Sequence, residues 1–285
     1  MSLSISYIQN QGYGLYNYSR SNTNNTFISF SASNRIQANE NYKKQNISQA
    51  SKKTNYQQSQ NINSLKDVAK SVGVSESFIK SLKKLEDGNI PENKYHNSIY
   101  TDKAGVKTIG IGHKYQQGEK IYLTDKEVLE LCAKDLKKVT ANLKNLIGTD
   151  NYAKLPTGLK EALIDMSFNK GTGIIKNDAN LMYCLKNGKV EAAINCLTYN
   201  KSIATGKEMS GLSKRRLFDL SLAFKSYNGK IPNSNLNTAQ RVYNRGIELL
   251  RQECKTKNLN FKNQLAGYNK DVKNYLADKI KYIEI

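Results

Sequence analysis

The stretch IYTDKAGVKTIGIGH, residues 99–113, decides how the rest of this chain is interpreted. Gly105 supplies a turn, and the β-prone residues that follow it favour a returning strand. We therefore expect a small antiparallel hairpin with Asp102 beside the turn and Thr108 six residues further on.

A second acid precedes the hairpin, at the end of a predicted helix. Ser75 is the expected N-cap and Gly88 the expected stop, and four apolar residues recur between them at helical spacing: Phe78, Ile79, Leu82 and Leu85. Glu86 then lies on the last turn of this helix, where partial burial would raise its carboxyl pKa. One protonated and one ionised carboxyl group are what hydrolysis of a glycosidic bond requires.

The hairpin also resembles a known motif. Its pattern Asp-x-x-Gly-x-x-Thr-Ile-Gly-x-Gly-His is similar to the active-site hairpin of the phage-type lysozymes, the T-even endolysin family (glycoside hydrolase family 24). Residues 162–173, ALIDMSFNKGTG, resemble the long core helix of that family. Residues 211–216, GLSKRR, resemble its Gly-Leu-x-x-Arg-Arg helix start. The three blocks occur in the family's order and extend the resemblance over about residues 64–228.

The resemblance implies an α+β fold, a mostly helical lysozyme-like domain with one small antiparallel hairpin. It further implies a muramidase that cleaves the β-1,4 bond between N-acetylmuramic acid and N-acetylglucosamine with inversion. Glu86 would be the general acid, and Asp102 and Thr108 would handle the water. Asp102 could also serve as an Asx-turn residue that organises the hairpin. Such a reaction needs no cofactor and no metal.

Three further residues match family positions around the substrate cleft. His113 closes the motif and is expected to be a hydrogen-bonding residue beside the cleft rather than a proton-transfer group. Asn169 matches a polar position that faces the substrate. Arg215 matches the arginine that pairs with the catalytic glutamate, where it would limit the rise of the glutamate's pKa. Its alternative is an ordinary surface arginine.

The chain departs from the family pattern around its acid. Asp87 stands where the family has glycine, and the separation of Glu86 from Asp102 is longer than usual. Glu92 would match the family spacing better, but it lies in a predicted loop that would position a carboxyl group poorly. We therefore favour Glu86 and interpret residues 89–97 as a loop insertion.

The sequence divides into three parts. Residues 1–63 form a low-complexity polar and basic arm, which has too few apolar residues to fold alone. Residues 64–228 are the predicted lysozyme-like domain. Residues 229–285 contain two amphipathic helices, which we expect to pack back on that domain, the alternative being a partner helix. The arm and these helices could tether the enzyme to a wall-penetrating assembly.

The composition limits which partners the protein can bind and how it can reach the cell wall. Lys and Arg number 44 against 24 Asp and Glu, a formal net charge of +20, which favours an anionic partner without choosing among nucleic acid, lipid and cell-wall polymers. The alternative is a lysine-rich composition on solvated faces. No stretch is apolar enough to span a membrane and no secretory signal is visible. We therefore expect access to the wall by pore release or by delivery on a particle or secretion machine.

Three other interpretations remain at this point. A lytic transglycosylase would need only the acid, and a catalytically inactive wall-binding or structural module would need neither carboxyl group. Residues 67–79 also resemble a DNA-binding helix-turn-helix, which makes nucleic-acid binding a minor alternative. The four widely spaced cysteines form no Cys-x-x-Cys pair, and with only two histidines they argue against a zinc site.

Overall fold

The computed structural model of the chain describes residues 61–88, 90–102, 105–202 and 205–284. Of the predicted arm only residues 61–63 are described, and Ile62 among them is buried against the core. The remainder of the arm, and with it any tethering contact that the arm makes, lies outside the described residues.

The described chain is mostly helical, with one small sheet. The helices are α1 Leu65–Val72, α2 Glu76–Asp87, α3 Asp125–Ile147, α4 Thr149–Lys154, α5 Thr157–Lys170, α6 Gly173–Lys176, α7 Ala179–Lys186, α8 Val190–Asn195, α9 Ser210–Phe224, α10 Asn233–Lys257 and α11 Phe261–Leu276. The strands are β1 Tyr100–Thr101, β2 Lys107–Ile109 and β3 His113–Lys114. The α+β class that the resemblance implies is confirmed.

Local capping signals set the boundaries of the first helices. The side chains of Ser64, Ser75 and Thr124 each accept a hydrogen bond from a backbone N–H in the first turn of α1, α2 and α3. At Thr124 the bond is reciprocal, because the Glu127 side chain accepts from the Thr124 backbone N–H. The helix that ends just after Glu86 is thus the one predicted from sequence.

The sheet has one strand more than the expected hairpin. β1 and β2 pair antiparallel with Tyr100 opposite Thr108, and β2 then pairs antiparallel with β3, Ile109 opposite His113. The second reversal is possible because Gly110 and Gly112 adopt φ of 62° and 70°, which side chains with a Cβ rarely tolerate. The motif that predicts one turn therefore encodes two.

The core is built around two helices that are buried on nearly all sides. α5 and α9 cross so closely that a Cβ on Gly158 of α5 would lie 2.2 Å from the carbonyl oxygen of Leu222 in α9. The helices α1 and α2 pack on each other and α1 packs on α3, with Val68, Phe78 and Leu82 buried. The helix pair that resembles a DNA-binding unit thus has its apolar faces in the core.

The C-terminal helices pack back on the same core. α10 and α11 both contact α9, and the described residues from 61 onward belong to one compact unit. Glu253 of α10 accepts hydrogen bonds from the backbone N–H and the hydroxyl of Ser210, at the start of α9. No helix in the described part of the chain is long and apolar enough to cross a membrane.

Candidate active site

Glu86 occupies the last turn of α2 and points under the turn between β2 and β3. Its Oε1 accepts a hydrogen bond of 2.6 Å from Nη2 of Arg215, and its side chain is 17% exposed. On its other side, a Cβ on Gly112 would lie 2.9 Å from Oε2. Glycine at position 112 is therefore what leaves room for the carboxyl group, and the helix and the hairpin meet at this contact.

The environment of Glu86 shifts its titration. Burial raises its pKa above the ordinary value for glutamate, and the positive charge of Arg215 offsets only part of this rise. The nearby carboxylates of Asp165 and Asp87 raise it further. A carboxyl group in this setting retains its proton to higher pH than one on the surface.

A buried charged cluster holds Arg215 in place. Its Nε and Nη2 donate to the two carboxylate oxygens of Asp165 at 2.8 and 2.9 Å, a bidentate pair with the aspartate fully buried. Behind it, Arg216 Nε lies 2.9 Å from Asp219 Oδ2, off the N–H axis, so this second pair is an ionic contact. Burial would raise the pKa of Asp165, but the adjacent guanidinium groups outweigh it and lower that pKa.

Asp102 and Thr108 lie on the hairpin as the motif predicts. Asp102 Oδ1 accepts a 2.8 Å hydrogen bond from the backbone N–H of Val106, so this carboxylate does organise the turn. Thr108 is buried on β2, and its hydroxyl donates to the carbonyl oxygen of Val106 at 3.1 Å. A hydroxyl that donates to the backbone can offer only its lone pairs to a water molecule.

Tyr100 is a site residue that sequence reasoning missed. Burial raises the pKa of its hydroxyl to about 12, and three carboxylates raise it as well, those of Asp87, Glu86 and Asp102. Tyr100 therefore lies within electrostatic reach of both predicted catalytic acids. Its ring stacks on His96 with 3.9 Å between the ring centroids. The sequence feature that could have identified Tyr100 is its position two residues before Asp102.

His113 is held between two acids. Its Nδ1 lies 2.7 Å from Asp135 Oδ2 and its Nε2 lies 3.1 Å from Glu119 Oε2. The hydrogen bond with Asp135 is the main cause of its raised pKa. Both ring nitrogens are thus engaged by carboxylates, which favours the structural role expected for this histidine; contact with substrate stays a prediction.

Asn169 and Arg215 differ in what they offer a ligand. Asn169, near the end of α5, has a buried side-chain oxygen that meets no hydrogen-bond donor among the described residues. Such an atom is costly unless something donates to it. Arg215 is 8% exposed and directed at Glu86 and Asp165, so the surface alternative for it is wrong.

Glu86 and Glu92 occupy very different surroundings. The side chain of Glu92 is 61% exposed and pairs with Lys80 on the surface at 2.8 Å. The chemistry of a general acid therefore fits Glu86 and not Glu92.

Asp87, the residue that departs from the family pattern, is also buried. Its Oδ2 lies 3.2 Å from Lys83 Nζ, and both side chains are almost fully enclosed. Lys83 also donates to the carbonyl oxygen of Pro91 and lies over the ring of Tyr95. The pair thus anchors the inserted loop to the end of α2. Burial raises the pKa of Asp87 to about 6, and the lysine charge opposes this rise.

The cysteines of the described chain are free thiols. Cys132, Cys184 and Cys254 are buried free thiols and Cys196 is partly buried. Within the ranges that the structure describes, no three His, Cys, Asp or Glu side chains are grouped so that they could hold a metal ion.

The fold and the site together define a class of protein. A partly desolvated glutamate lies on the last turn of a helix and contacts a hairpin at Gly112, and that hairpin also carries Asp102 and Thr108, on an α+β scaffold. A buried glutamate beside an acid-bearing hairpin is what the sequence predicts for a glycoside hydrolase of lysozyme type.

Comparison with known proteins finds a family match. Residues 91–218, a little under half of the chain, match the model of the phage lysozyme family. This match supports lysozyme activity, the hydrolysis of peptidoglycan. Asp102, Thr108 and Arg215 lie inside the matched segment, whereas Glu86 precedes it.

Three solved structures are similar to this chain. The active form of phage P1 endolysin Lyz has 17% identity and a TM-score of 0.47, covering 59% of this chain and 98% of its own. The muramidase domain of SpmX from Asticaccaulis excentricus has 20% identity and a TM-score of 0.39, covering 53% and 96%. A mutant of P22 lysozyme has 21% identity and a TM-score of 0.37, covering 50% and 92%. No curated protein sequence matches.

Proposed function

We propose that the protein cleaves the β-1,4 bond between N-acetylmuramic acid and N-acetylglucosamine with inversion, using Glu86 as the general acid. The observation that carries this proposal is the position of the Glu86 carboxyl group between Arg215 and Gly112. There, burial keeps its pKa raised while the arginine fixes its orientation. An acid that is both oriented and protonated is what the leaving sugar oxygen requires.

The second half of the reaction belongs to the hairpin. Glu86 donates its proton to the glycosidic oxygen as the bond from C1 to that oxygen breaks. A water molecule held by Asp102 and Thr108 attacks C1 from the opposite face and gives a proton to the Asp102 carboxylate. Inversion needs carboxyl groups roughly 6.5–9.5 Å apart, so that a water fits between them. Proton exchange with solvent then restores both acids.

Two further roles complete the proposal. Asn169 presents its unsatisfied buried oxygen to a donor on the substrate, for which an acetamido N–H or a sugar hydroxyl is suitable. Arg215 acts through Glu86 as a positioning residue and does not touch the sugar. We assign residues 64–228 to catalysis. We assign residues 1–63 to attachment to a wall-penetrating assembly. The protein reaches the cell wall through a membrane pore or on a particle.

Mass spectrometry of soluble products tests the acid. Purified peptidoglycan is incubated with wild type, Glu86→Gln and the matched variant Glu92→Gln. We expect muropeptides with reducing ends from wild type and Glu92→Gln, and a loss of at least about 10³-fold for Glu86→Gln. Activity that survives in Glu86→Gln but not in Glu92→Gln would overturn the assignment. Anhydro products would indicate a lytic transglycosylase instead.

A second measurement tests the stereochemistry. In an inverting reaction the first product carries the α anomer at the new reducing end, because water attacks the face opposite the β bond. Proton NMR in the first minutes, before mutarotation, distinguishes the anomers. The β anomer as first product would exclude the inverting role of Asp102.

The arm is tested separately: if removal of residues 1–60 changes neither lysis nor association with any particle, the tether proposal fails.

A further inference from the structure

A second concave surface lies on the side of the molecule built by the C-terminal helices. It is a groove of about 590 Å³ between the end of α2, the start of α9, and α10 with α11. We call it the C-terminal groove. Most of its lining residues come from positions 250–274, beyond the segment that matches the lysozyme family. None of the catalytic residues proposed above lines it.

The C-terminal groove is positively charged. Lys84, Lys257 and Lys270 line it, are exposed, and form no ion pair with any residue in the described part of the chain. The fourth lysine, Lys214, is paired with Asp271 and lies over the ring of Tyr268. The remaining acid of the lining, Glu253, accepts both hydrogen bonds from Ser210 at the start of α9. Three lysines therefore remain available to an anion.

Carboxamide groups accompany these lysines. Asn263, Gln264 and Asn274 line the same groove from exposed positions on α11. A carboxamide both donates and accepts hydrogen bonds, so it complements a peptide group, whereas an ionised phosphate group only accepts. Cations next to carboxamides thus suit a ligand that has peptide bonds and carboxylates in succession.

The groove shares its helices with the active site. Lys84 lies on α2 two residues before Glu86, and Lys214 on α9 directly precedes Arg215. A glycan strand in the cleft carries peptide stems on alternate sugars, each with free carboxylates, and these stems extend away from the cleaved bond. Lys84 and Glu86, two positions apart, point to different faces of α2, so a stem that reaches the groove from the cleft must extend around that helix.

We infer that the C-terminal groove is a second binding site, which takes the carboxylate-bearing peptide stems of peptidoglycan. This rests on the proposed function only in that the ligand is the polymer being cleaved. It deepens that function, because it assigns the C-terminal helices to substrate recognition. It also predicts that the groove contributes to binding of intact wall and not of bare glycan.

The test measures binding without turnover. Glu86→Gln protein is mixed on ice with insoluble sacculi, and the dissociation constant is obtained from depletion of the supernatant. The groove variant replaces Lys84, Lys257 and Lys270 by Gln in that background. The matched control replaces Lys126, Lys137 and Lys138 by Gln. These are three exposed lysines of α3 outside the groove, so the control removes the same charge. A third variant replaces the groove lysines by Arg.

We expect the Gln groove variant to bind intact sacculi at least about tenfold more weakly than the control variant, with the difference shrinking at high salt. The Arg variant should bind like the parent. The difference should persist after hydrofluoric acid removes phosphate polymers, and should vanish on glycan stripped of peptide by an amidase.

Three results would overturn the inference. These are equal binding by groove and control variants, a difference that persists on peptide-free glycan, and a difference that disappears with the phosphate polymers. Because these experiments need no hydrolysis, a wild-type protein that releases no products would count against the proposed reaction and leave the groove result intact.

Discussion

Opposing effects on one carboxyl group set the chemistry at the residue scale. Glu86 experiences burial, which favours its neutral form, and Arg215, which favours its charged form. If burial acted alone, Glu86 would be neutral, but nothing would fix the orientation of its carboxyl group. If the arginine dominated, the proton would be lost well below neutral pH. The buried pair of Arg215 with Asp165 lets the arginine orient Glu86 while part of its charge is already balanced.

Substitution of Gly112 by Ala tests the contact between hairpin and acid. The added Cβ would lie 2.9 Å from Glu86 Oε2 on a backbone with φ of 70°, so the carboxyl group must move. A displacement of this order costs about 10²-fold in kcat. Gly118→Ala is the matched control, since its φ is 92° and a Cβ there meets nothing within 4 Å. Equal loss of kcat in both variants would attribute the effect to backbone strain.

Replacement of Asp87 by Asn tests the buried pair behind the acid. The pKa of Asp87 rises from 3.8 to about 6 on folding, so between these pH values the folded state binds more protons than the unfolded state. The contribution of Asp87 to stability is therefore present below pH 3.8 and is lost as the pH rises through 6. Relative to Asp87→Asn, wild type should lose about 3 kcal/mol of unfolding free energy from pH 3.5 to 7.

Urea unfolding at several pH values measures this difference. Asp278→Asn, at an exposed position after α11, serves as the control. A wild-type stability that falls no more steeply over this range than that of Asp87→Asn would mean that Asp87 is ionised without penalty in the fold.

At the scale of elements, α9 connects the catalytic domain with the C-terminal helices. It carries Arg215 into the site and is packed by α5 on one side and by α10 and α11 on others. It has no N-cap side chain of its own, and Glu253 of α10 accepts from Ser210 instead. A carboxylate at a helix N-terminus is also favoured by the helix dipole. The position of Arg215 thus depends on elements far along the chain.

Two helical glycines test that packing. A Cβ on Gly246 of α10 would lie 2.1 Å from the Tyr268 hydroxyl and 3.1 Å from Ser213 Cβ, so Gly246→Ala must separate α10 from α11 and α9. We expect a loss of about 2 kcal/mol of unfolding free energy. Gly267→Ala on α11, which meets nothing within 4 Å, should instead be neutral or gain up to about 1 kcal/mol. Thermal unfolding of both variants measures this difference. Destabilisation of similar size in Gly246→Ala and Gly267→Ala would contradict the packing argument.

At the scale of the whole molecule, the C-terminal helices are part of the folded unit. Removal of residues 229–285 should leave the apolar surface of α9 exposed and give an insoluble or unfolded product. Removal of residues 1–60, which keeps Ile62 in the core, should leave the melting temperature within about 2 °C of wild type. Circular dichroism and thermal melts of the two truncations make the comparison. A stable, active protein that ends at residue 228 would show that α10 and α11 are appendages.

Much of this molecule could be predicted from local patterns in the chain. The caps at Ser75 and Thr124, the stop at Gly88 and the hairpin turn at Gly105 depend on residues a few positions apart. Hydrogen bonds of that range are encoded in short segments, so α2 and the site of Glu86 on its last turn follow from sequence. Asp102 and Thr108 were found in the same way, through one short motif.

Only the tertiary structure decided what surrounds those residues. Arg215 is 129 positions from Glu86, and the role of Gly112 depends on a side chain from another element. Tyr100, Asp87 and the C-terminal groove gain their properties from burial and from charges brought together by α2, α9 and α11. Burial and electrostatic fields arise from packing between distant segments, and a local pattern carries no information on them. The sequence by itself therefore determined which acids and elements are present, and packing determined their protonation and their partners.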